Sequence, residues 1–188
     1  MNMNAKEVIL NEATRIAQAH GYSGMNLRDL ADKVGIKPAS IYHHFTNKAD
    51  LGAAVAKRYR EDAAVNLEAI SAAEADPRAA LSRYPEVFRR SLESDNRLCL
   101  GSFMSAEHDD LPEQVIKEVL AFTDVNLSWL AKMLVSAGAV HSDVEAETRA
   151  RAIFAAVAGA QLMARSRADI RIFDTLMEDY RRAGLLPS

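Results

Sequence analysis

A short segment of the chain carries side chains that could bind an anionic polymer. Its polar and small residues are Lys37, Ala39, Ser40, Tyr42, His43 and His44. Ammonium, hydroxyl and imidazole groups can all donate hydrogen bonds to phosphate or to base edges. The apolar residues around them are Leu30, Val34, Ile36, Ile41 and Phe45, at a spacing that turns them toward one core. The pattern is typical of a helix-turn-helix, and equally of any hairpin of two packed helices, so both interpretations stay open at this point.

Three groups of titratable residues could instead support acid–base or metal chemistry. They are His43-His44, Glu107-His108-Asp109-Asp110, and His141 with Asp143 and Glu145. The four contiguous residues of the second group would fan around a helix end instead of converging on one point. The sequence contains no glycine-rich phosphate loop, nucleophile elbow or metal-spaced histidine pair. We therefore expect no enzyme activity, no metal site and no cofactor.

The single cysteine, Cys99, is a candidate sensor. One cysteine excludes an intrachain disulfide and any metal site with two cysteine ligands. A thiol at a helix N-terminus beside Arg97 would have its thiolate favoured, and the thiolate is the reactive form. The alternative is a buried and inert thiol, which is the commoner state of a lone cysteine.

Charge is distributed unevenly along the 188 residues. Residues 1–60 carry nine Lys and Arg against five Asp and Glu, a net charge of +4, so the remainder carries −7 of the total of −3. A basic N-terminal region suits a protein that places one end against phosphates. Charged residues interrupt every apolar run before the ~20 residues that a membrane span requires, and the N-terminal residues do not resemble a signal peptide. We expect a cytoplasmic protein without a membrane partner.

Helical periodicity recurs along the whole chain, and the composition is rich in Ala, Leu, Glu and Arg. The pattern predicts nine helices, over residues 5–19, 27–34, 38–45, 47–73, 77–93, 98–107, 112–137, 143–165 and 170–183. Asn4 with Glu7 forms a possible capping box for the first helix, and Asn26 can cap the second. Gly35 ends the second helix, and Pro38 suits the first turn of the third. We predict an all-α protein in which a tight turn joins two short helices.

The segments that form this N-terminal pattern closely resemble the signature of the TetR family of transcriptional regulators. They are Gly21-Tyr22, Leu27-Arg28-Asp29-Leu30-Ala31, Val34-Gly35-Ile36, Ile41-Tyr42-His43-His44-Phe45 and Lys48-Ala49-Asp50-Leu51. The resemblance covers residues 5–52 and includes the spacings between the segments. It implies a three-helix DNA-binding head, residues 1–46, and a six-helix body for ligand sensing and dimerisation, residues 47–188.

The resemblance also implies roles for individual residues of the head. Phosphate contacts fall on Asn26, Tyr42, His43 and Lys48, and base contacts on Arg28, Lys37, Ala39 and Ser40. Each of these could also be an ordinary solvated surface side chain. Lys37 stands where the family usually has Ser or Thr, so we expect the recognition helix to lack its usual side-chain cap.

In the body, the resemblance implies an apolar effector pocket between the middle helices. The candidate lining and sensor residues are Phe88, Cys99, Phe103, Met104, Phe122, Trp129, Met133 and Phe154, although aromatic and Met side chains at helical spacing are more often plain core. The segment Leu98-Cys99-Leu100 is similar to the cysteine block of a subgroup with members that respond to electrophiles. Leu98 replaces the glycine of that subgroup.

The function that these patterns and the resemblance predict is sequence-specific DNA binding by a homodimer on a palindromic operator, most simply as a repressor released by a small-molecule or electrophilic effector. The helices predicted over residues 143–165 and 170–183 would form the dimer. A face of small residues, Ala152, Ala155, Ala156, Gly159 and Ala160, would permit close approach, or would serve ordinary packing within the chain. A helical adaptor without DNA binding is the other class, and it would show little salt-dependent retention on DNA.

Overall fold

The computed structural model describes residues 5–187, and all the regular structure within that range is helical. The α-helices are α1 (Ala5–His20), α2 (Leu27–Val34), α3 (Pro38–His44), α4 (Lys48–Ala73), α5 (Pro77–Arg83), α6 (Glu86–Glu93), α7 (Leu100–Ala106), α8 (Glu113–Ser136), α9 (Asp143–Ser166) and α10 (Ile170–Arg182). A short 3₁₀ turn, His108–Asp110, precedes α8. The all-α prediction, with a three-helix head, is confirmed. Asn4, the expected cap of α1, lies outside the described residues.

Local signals explain the two short helices of the head. Asn26 caps α2, and Gly35 ends it in the left-handed region at φ 75°, which glycine adopts at little steric cost. Pro38 opens α3, where its missing N–H is not needed. Ile36 is partly buried and Ile41 fully buried in the same core, consistent with a hydrophobic staple that fixes the entry of the chain into α3.

The helix predicted over residues 77–93 is divided in the structure into α5 and α6. Pro85 lies between them and has no N–H to donate to the residue one turn earlier. The flanking bonds tighten to the shorter repeat, with the N–H of Tyr84 donated to Leu81 and that of Val87 donated to Tyr84. A periodic pattern alone does not reveal this interruption, because the apolar residues keep helical spacing across it.

The chain forms two compact units. The first comprises the chain up to Glu61 together with Leu100–Phe122, and the second comprises Asp62–Cys99 together with the chain from Thr123 onward. The core of the first unit combines residues of the helix-turn-helix with residues of α7 and the first half of α8, among them Leu30, Ile41, Phe45, Met104 and Val115. The predicted functional boundary at residue 46, between DNA binding and sensing, stays a prediction.

The second unit has an aromatic core of its own. Tyr84 and Phe88 are fully buried, with ring centroids 5.7 Å apart, and Phe173 of α10 is buried as well. The ring of Tyr84 stacks on that of Trp129 at 5.8 Å. Offset and tilted ring pairs at these distances add to the stabilisation from burial.

One helix of the described chain, α8, is long and apolar enough to cross a membrane by length and composition alone, since an 18-residue window within it has a mean hydropathy of 1.2. The helix carries Asp124 and Lys132, and Val115, Phe122 and Leu130 on it are buried. Because the core helix of a globular protein has the same length and composition, α8 is weak evidence for a membrane span.

Candidate nucleic-acid interface

The outer surface of α3 presents the side chains that the sequence singled out. Lys37, Ala39, Ser40 and His43 are exposed, and Tyr42 keeps 52% of its surface in solvent. The inner residue of the helix, Ile41, is fully buried. A short helix with one anchored face and one polar, exposed face has the form that major-groove recognition requires.

His44 differs from its neighbours on α3 because it is only half exposed. Its ring lies 5.4 Å from that of His43 and 6.5 Å from that of Phe45, which is buried. These contacts indicate that His44 packs against the head, unlike the exposed residues of α3.

Lys37 occupies the N-cap position of α3 and makes no side-chain capping bond there. The expected absence of the cap is therefore confirmed. The backbone at Lys37 is extended, with φ −70° and ψ 143°, which is the conformation that a capping residue adopts. The lysine side chain is exposed at the start of the helix, where it could reach a base edge or a phosphate.

The start of α2 presents a second set of donors. The side-chain oxygen of Asn26 accepts the N–H of Arg28 at 2.8 Å and that of Asp29 at 3.4 Å. This bonding commits the oxygen to the helix and leaves the amide N–H₂ of Asn26 to serve a ligand. A helix N-terminus also favours an anion through its dipole and its N–H groups. Arg28 is exposed in the first turn of the same helix.

Lys48, the first residue of α4, is held beside the turn between α1 and α2. Its Nζ donates to the carbonyl oxygen of Ser23 at 3.2 Å and lies 4.6 Å from the ring centroid of Tyr22. Burial raises the pKa of the Tyr22 phenol, which leaves that ring neutral beneath the cation. An ammonium has three donors, so these contacts orient Lys48 without exhausting its capacity to bind phosphate.

The predicted pocket residues are divided between the two units. Phe88, Cys99, Trp129, Met133 and Phe154 belong to the second unit, where the ring centroids of Phe88 and Phe154 are 6.1 Å apart. Phe103, Met104 and Phe122 belong to the first unit. Met104 is fully buried there in the core that supports the helix-turn-helix.

Cys99 is buried, with 3% of its surface exposed, and lies immediately before α7. Its backbone N–H donates to Oε1 of Gln161 at 2.9 Å, and Nε2 of Gln161 donates to the carbonyl oxygen of Phe88 at 2.7 Å. The fully buried Gln161 side chain of α9 thus joins α6 and Cys99 within the second unit. Arg97, expected beside the thiol, donates to Asp95 and Ser94.

Two further polar residues of this core were not predicted as site residues. Asn126 accepts the hydroxyl of Tyr84 at 3.0 Å, and Ser71 accepts Nε1–H of Trp129 at 2.8 Å. Burial, and then the proximity of Cys99, raise the pKa of Tyr84 well above its ordinary value. A signal for Asn126 was present in the sequence, because it interrupts the apolar stripe that Phe122 and Leu130 form on α8.

An open groove of about 370 Å³ lies along the second unit beside Trp129. It is lined by Ala64, Leu67, Glu68, Asp124, Val125, Ser128, Trp129 and Lys132. At its edge, Lys132 and Glu68 form an ion pair at 3.7 Å. A largely apolar lining with a few polar groups is the usual composition of a small-molecule site.

The groups singled out for acid–base chemistry have structural partners. The Glu107 carboxylate accepts the N–H groups of Tyr22 and Ser23. At the start of α9, Glu145 accepts the N–H of His141 and Ser142 accepts the N–H of Glu145, which resembles a capping box. Within residues 5–187, no group of three or more His, Cys, Asp or Glu residues is arranged to hold a metal ion.

Comparison with known proteins shows which family this chain is similar to. Residues 9–55 match the model for bacterial regulatory proteins of the tetR family. A segment of 68 residues is 40% identical to the HTH-type transcriptional repressor AcnR of Corynebacterium glutamicum, and it covers 36% of this chain and 35% of that protein. The fold matches a TetR transcriptional regulator from Legionella pneumophila with a TM-score of 0.91 and 27% identity, over 97% of this chain and 99% of that one.

The TetR-type regulatory segment is thus confined to residues 9–55 in the sequence match, and the fold of nearly the whole chain is similar to that of TetR regulators. A family regulator from Agrobacterium tumefaciens is similar as well, with a TM-score of 0.88 and 26% identity over 95% of this chain and 96% of that one. The sequence match to the curated relatives spans about a third of their length, whereas the structural match covers nearly the whole chain. The TetR-type head is thus supported by sequence and fold, and the TetR-type body by the fold.

Proposed function

We propose that this protein is a DNA-binding transcriptional repressor of the TetR family, and that α3 enters the major groove of its operator. The observation that carries the proposal is the exposed outer surface of α3, in a segment that matches the family's regulatory domain. The curated relatives that match about a third of this chain are named as repressors. Regulators of this family are generally not enzymes, and we place the protein in the cytoplasm.

Within this proposal the head residues divide into two roles. Asn26, Tyr42, His43 and Lys48 contact phosphates, which fixes the head on the duplex without reading its sequence. Lys37, Ala39 and Ser40 face base edges from the first turn of α3, with Arg28 as a further base contact from α2. Phosphate contacts supply affinity that falls with salt, and base contacts supply the difference between sequences.

The experiment that tests the proposal measures duplex affinity in a salt series, using DNA from upstream of the protein's own coding region and an unrelated duplex. Lys48→Ala is expected to weaken binding to both duplexes alike and to lower the salt slope by about 1. Ser40→Ala is the matched head variant, because it removes an exposed polar group without changing charge. It is expected to alter the preference between the duplexes.

Two results would contradict this division of roles. Unchanged affinity and salt slope in Lys48→Ala would show that Lys48 makes no phosphate contact. Wild-type protein that ignores every duplex at low ionic strength would overturn DNA binding itself and favour a helical adaptor.

We further propose that two chains bind one palindromic operator and that α9 and α10 form the dimer. On α9, Ala152, Ala155 and Gly159 are exposed, as are Leu162 and Met163, at 57% and 51%. A side chain added at Gly159 would meet nothing within 4 Å, so this face is open to a partner helix. Ala160, which the sequence analysis placed on the same face, is fully buried within the chain. Equilibrium sedimentation should give two chains per palindromic duplex, and one chain would refute the arrangement.

An effector that binds the second unit would complete the mechanism, provided that it binds the operator-free state more tightly. The groove beside Trp129 is the site that we propose for a small, mainly apolar effector. The burial of Cys99 argues against direct attack by an electrophile from solvent. Labelling with N-ethylmaleimide distinguishes an effector in the groove from a reactive Cys99. If the folded protein is modified as fast as the unfolded chain, and modification releases DNA, Cys99 is the sensor.

A further inference from the structure

Glu107 makes a pair of contacts that the proposed function leaves unexplained. Its carboxylate accepts the backbone N–H of Tyr22 at 2.6 Å and that of Ser23 at 3.0 Å. Glu107 directly follows α7, and both amides belong to the turn that connects α1 to α2. All of these residues lie in the first unit. A charged acceptor that satisfies two backbone donors forms a strong contact, because hydrogen bonds to an ionised group exceed neutral ones.

The turn that Glu107 holds is the same turn that orients Lys48. The carbonyl oxygen of Ser23 accepts Nζ of Lys48, and the Tyr22 ring lies beneath that ammonium. The turn leads directly into Asn26, the cap of α2. The carboxylate therefore binds the N–H of the same residue whose carbonyl binds a proposed phosphate-contacting side chain.

Gly21 permits this close approach. Its φ of 71° is in the left-handed region, and a Cβ at this position would overlap the Glu107 carboxylate. A glycine here serves both the turn and the access of the acidic side chain to it.

We infer that Glu107 is a positioning residue for DNA binding: it fixes the turn between α1 and α2, and through Ser23 and Tyr22 it holds Lys48 in place for phosphate. The inference rests on the proposed function. Glu107 is negatively charged, as DNA is, and in this inference it promotes binding without contacting the DNA.

The positioning role and simple electrostatics predict opposite changes in DNA affinity when the charge of Glu107 is removed. Removal of an acidic charge near a DNA-binding surface should tighten binding, because like charges repel. If Glu107 positions Lys48, then Glu107→Gln should weaken binding. The amide oxygen of glutamine can accept one N–H, but its N–H₂ would face the other donor. The matched control is Asp109→Asn, which removes the same charge from an exposed residue of the adjacent 3₁₀ turn.

Duplex affinity is measured for both variants below their unfolding temperatures. Glu107→Gln is expected to weaken affinity about ten-fold, as the loss of one charge-assisted bond would, whereas Asp109→Asn should equal or exceed the wild type. If Glu107→Gln does not fold, Glu107→Asp serves instead, because it keeps the charge with a side chain too short to hold both amides. Binding by the Glu107 variant at or above wild-type affinity would overturn the inference.

A double-mutant cycle with Lys48→Ala identifies the route. In that background Glu107→Gln should weaken binding by less than about three-fold, since its effect passes through Lys48. Equal losses in both backgrounds would show that Glu107 acts elsewhere. Amide exchange at Tyr22 and Ser23 is independent of DNA and should accelerate in Glu107→Gln. If amide exchange at Tyr22 and Ser23 is unchanged in Glu107→Gln, the positioning role is refuted even if the protein binds DNA. If the wild-type protein binds no DNA, the proposed function is refuted, so the two failures are distinct.

Discussion

Polar side chains occur in two contrasting settings in this protein. On α3, Lys37, Ser40 and Tyr42 are exposed and project away from the core beneath them. In the second unit, Gln161 and Tyr84 are inaccessible to solvent, and each has hydrogen-bonding partners within the chain. The first set is accessible to a ligand, whereas the second forms hydrogen bonds within the protein.

The energetic consequence of a substitution should differ between the two settings. An exposed polar group is hydrated in both the folded and the unfolded chain, so its removal changes the free energy of unfolding by only a few tenths of a kcal/mol. A buried polar group that loses its partner leaves an unsatisfied donor or acceptor, at about 1–3 kcal/mol for each group. Variants of α3 should therefore change DNA binding at nearly constant stability, and variants of the buried network should change stability first.

The strongest test of this contrast is Gln161→Leu. The leucine would fill similar volume but would leave the N–H of Cys99 and the carbonyl of Phe88 without the partner that Gln161 provides. We expect the free energy of unfolding to fall by about 3 kcal/mol, measured by urea denaturation. The matched control is Glu147→Gln, an exposed position on the same helix, which should stay within about 0.5 kcal/mol of the wild type.

A loss below about 1 kcal/mol in Gln161→Leu would remove the distinction between the two settings. It would mean that the buried amide contributes no more to stability than a surface group, and that its partners find other hydrogen bonds when it is absent.

Alkaline pH tests the same network through Tyr84. Burial raises the pKa of this phenol, so between its unfolded value near 10 and its higher folded value only the unfolded chain loses the proton. The contribution of Tyr84 to the free energy of unfolding is therefore fully present below pH 10. Above pH 10 it falls by about 1.4 kcal/mol per pH unit for one such group. Tyr84→Phe should reduce this slope in urea midpoints measured from pH 9 to 11, with Tyr22 contributing a remainder through its own raised pKa.

The corresponding head variant is Tyr42→Phe, which removes a hydroxyl from the exposed surface of α3. It should differ from the wild type in affinity for DNA at nearly constant stability. If Tyr84→Phe kept the wild-type slope, the Tyr84 hydroxyl would be accessible to solvent, contrary to the structure.

The contrast also explains which features could be predicted from the sequence. The head depends on local signals: Asn26 before α2, Gly35 after it and Pro38 at the start of α3 each act within one turn of chain. The family signature covers the same residues, so the candidate DNA contacts could be proposed one by one. For the contacts on α3, exposure on one face follows from the helical spacing of Ile41 and Phe45.

The buried network depends on contacts between distant residues. Gln161 joins Cys99 and Phe88, and the bond from Tyr84 to Asn126 also crosses between helices that are far apart in sequence. Helical spacing identifies such residues as inward-facing, but it does not say which helices meet. For the same reason, the sequence does not reveal that Phe103, Met104 and Phe122 belong to the first unit.

The smallest expected effect concerns Lys37, because α3 lacks a side-chain cap of the kind that Asn26 gives α2. An extended backbone at the N-cap of α3 suits serine, which could accept the N–H of Ser40, but the lysine makes no such bond. Lys37→Ser should therefore raise the free energy of unfolding by about 0.5–1 kcal/mol and at the same time change the preference among duplexes. Lys33→Ser, in the last turn of α2, is the control that removes a similar charge without supplying a cap. A gain in stability together with unchanged duplex preference would show that Lys37 reads no base, and that the missing cap of α3 has another origin.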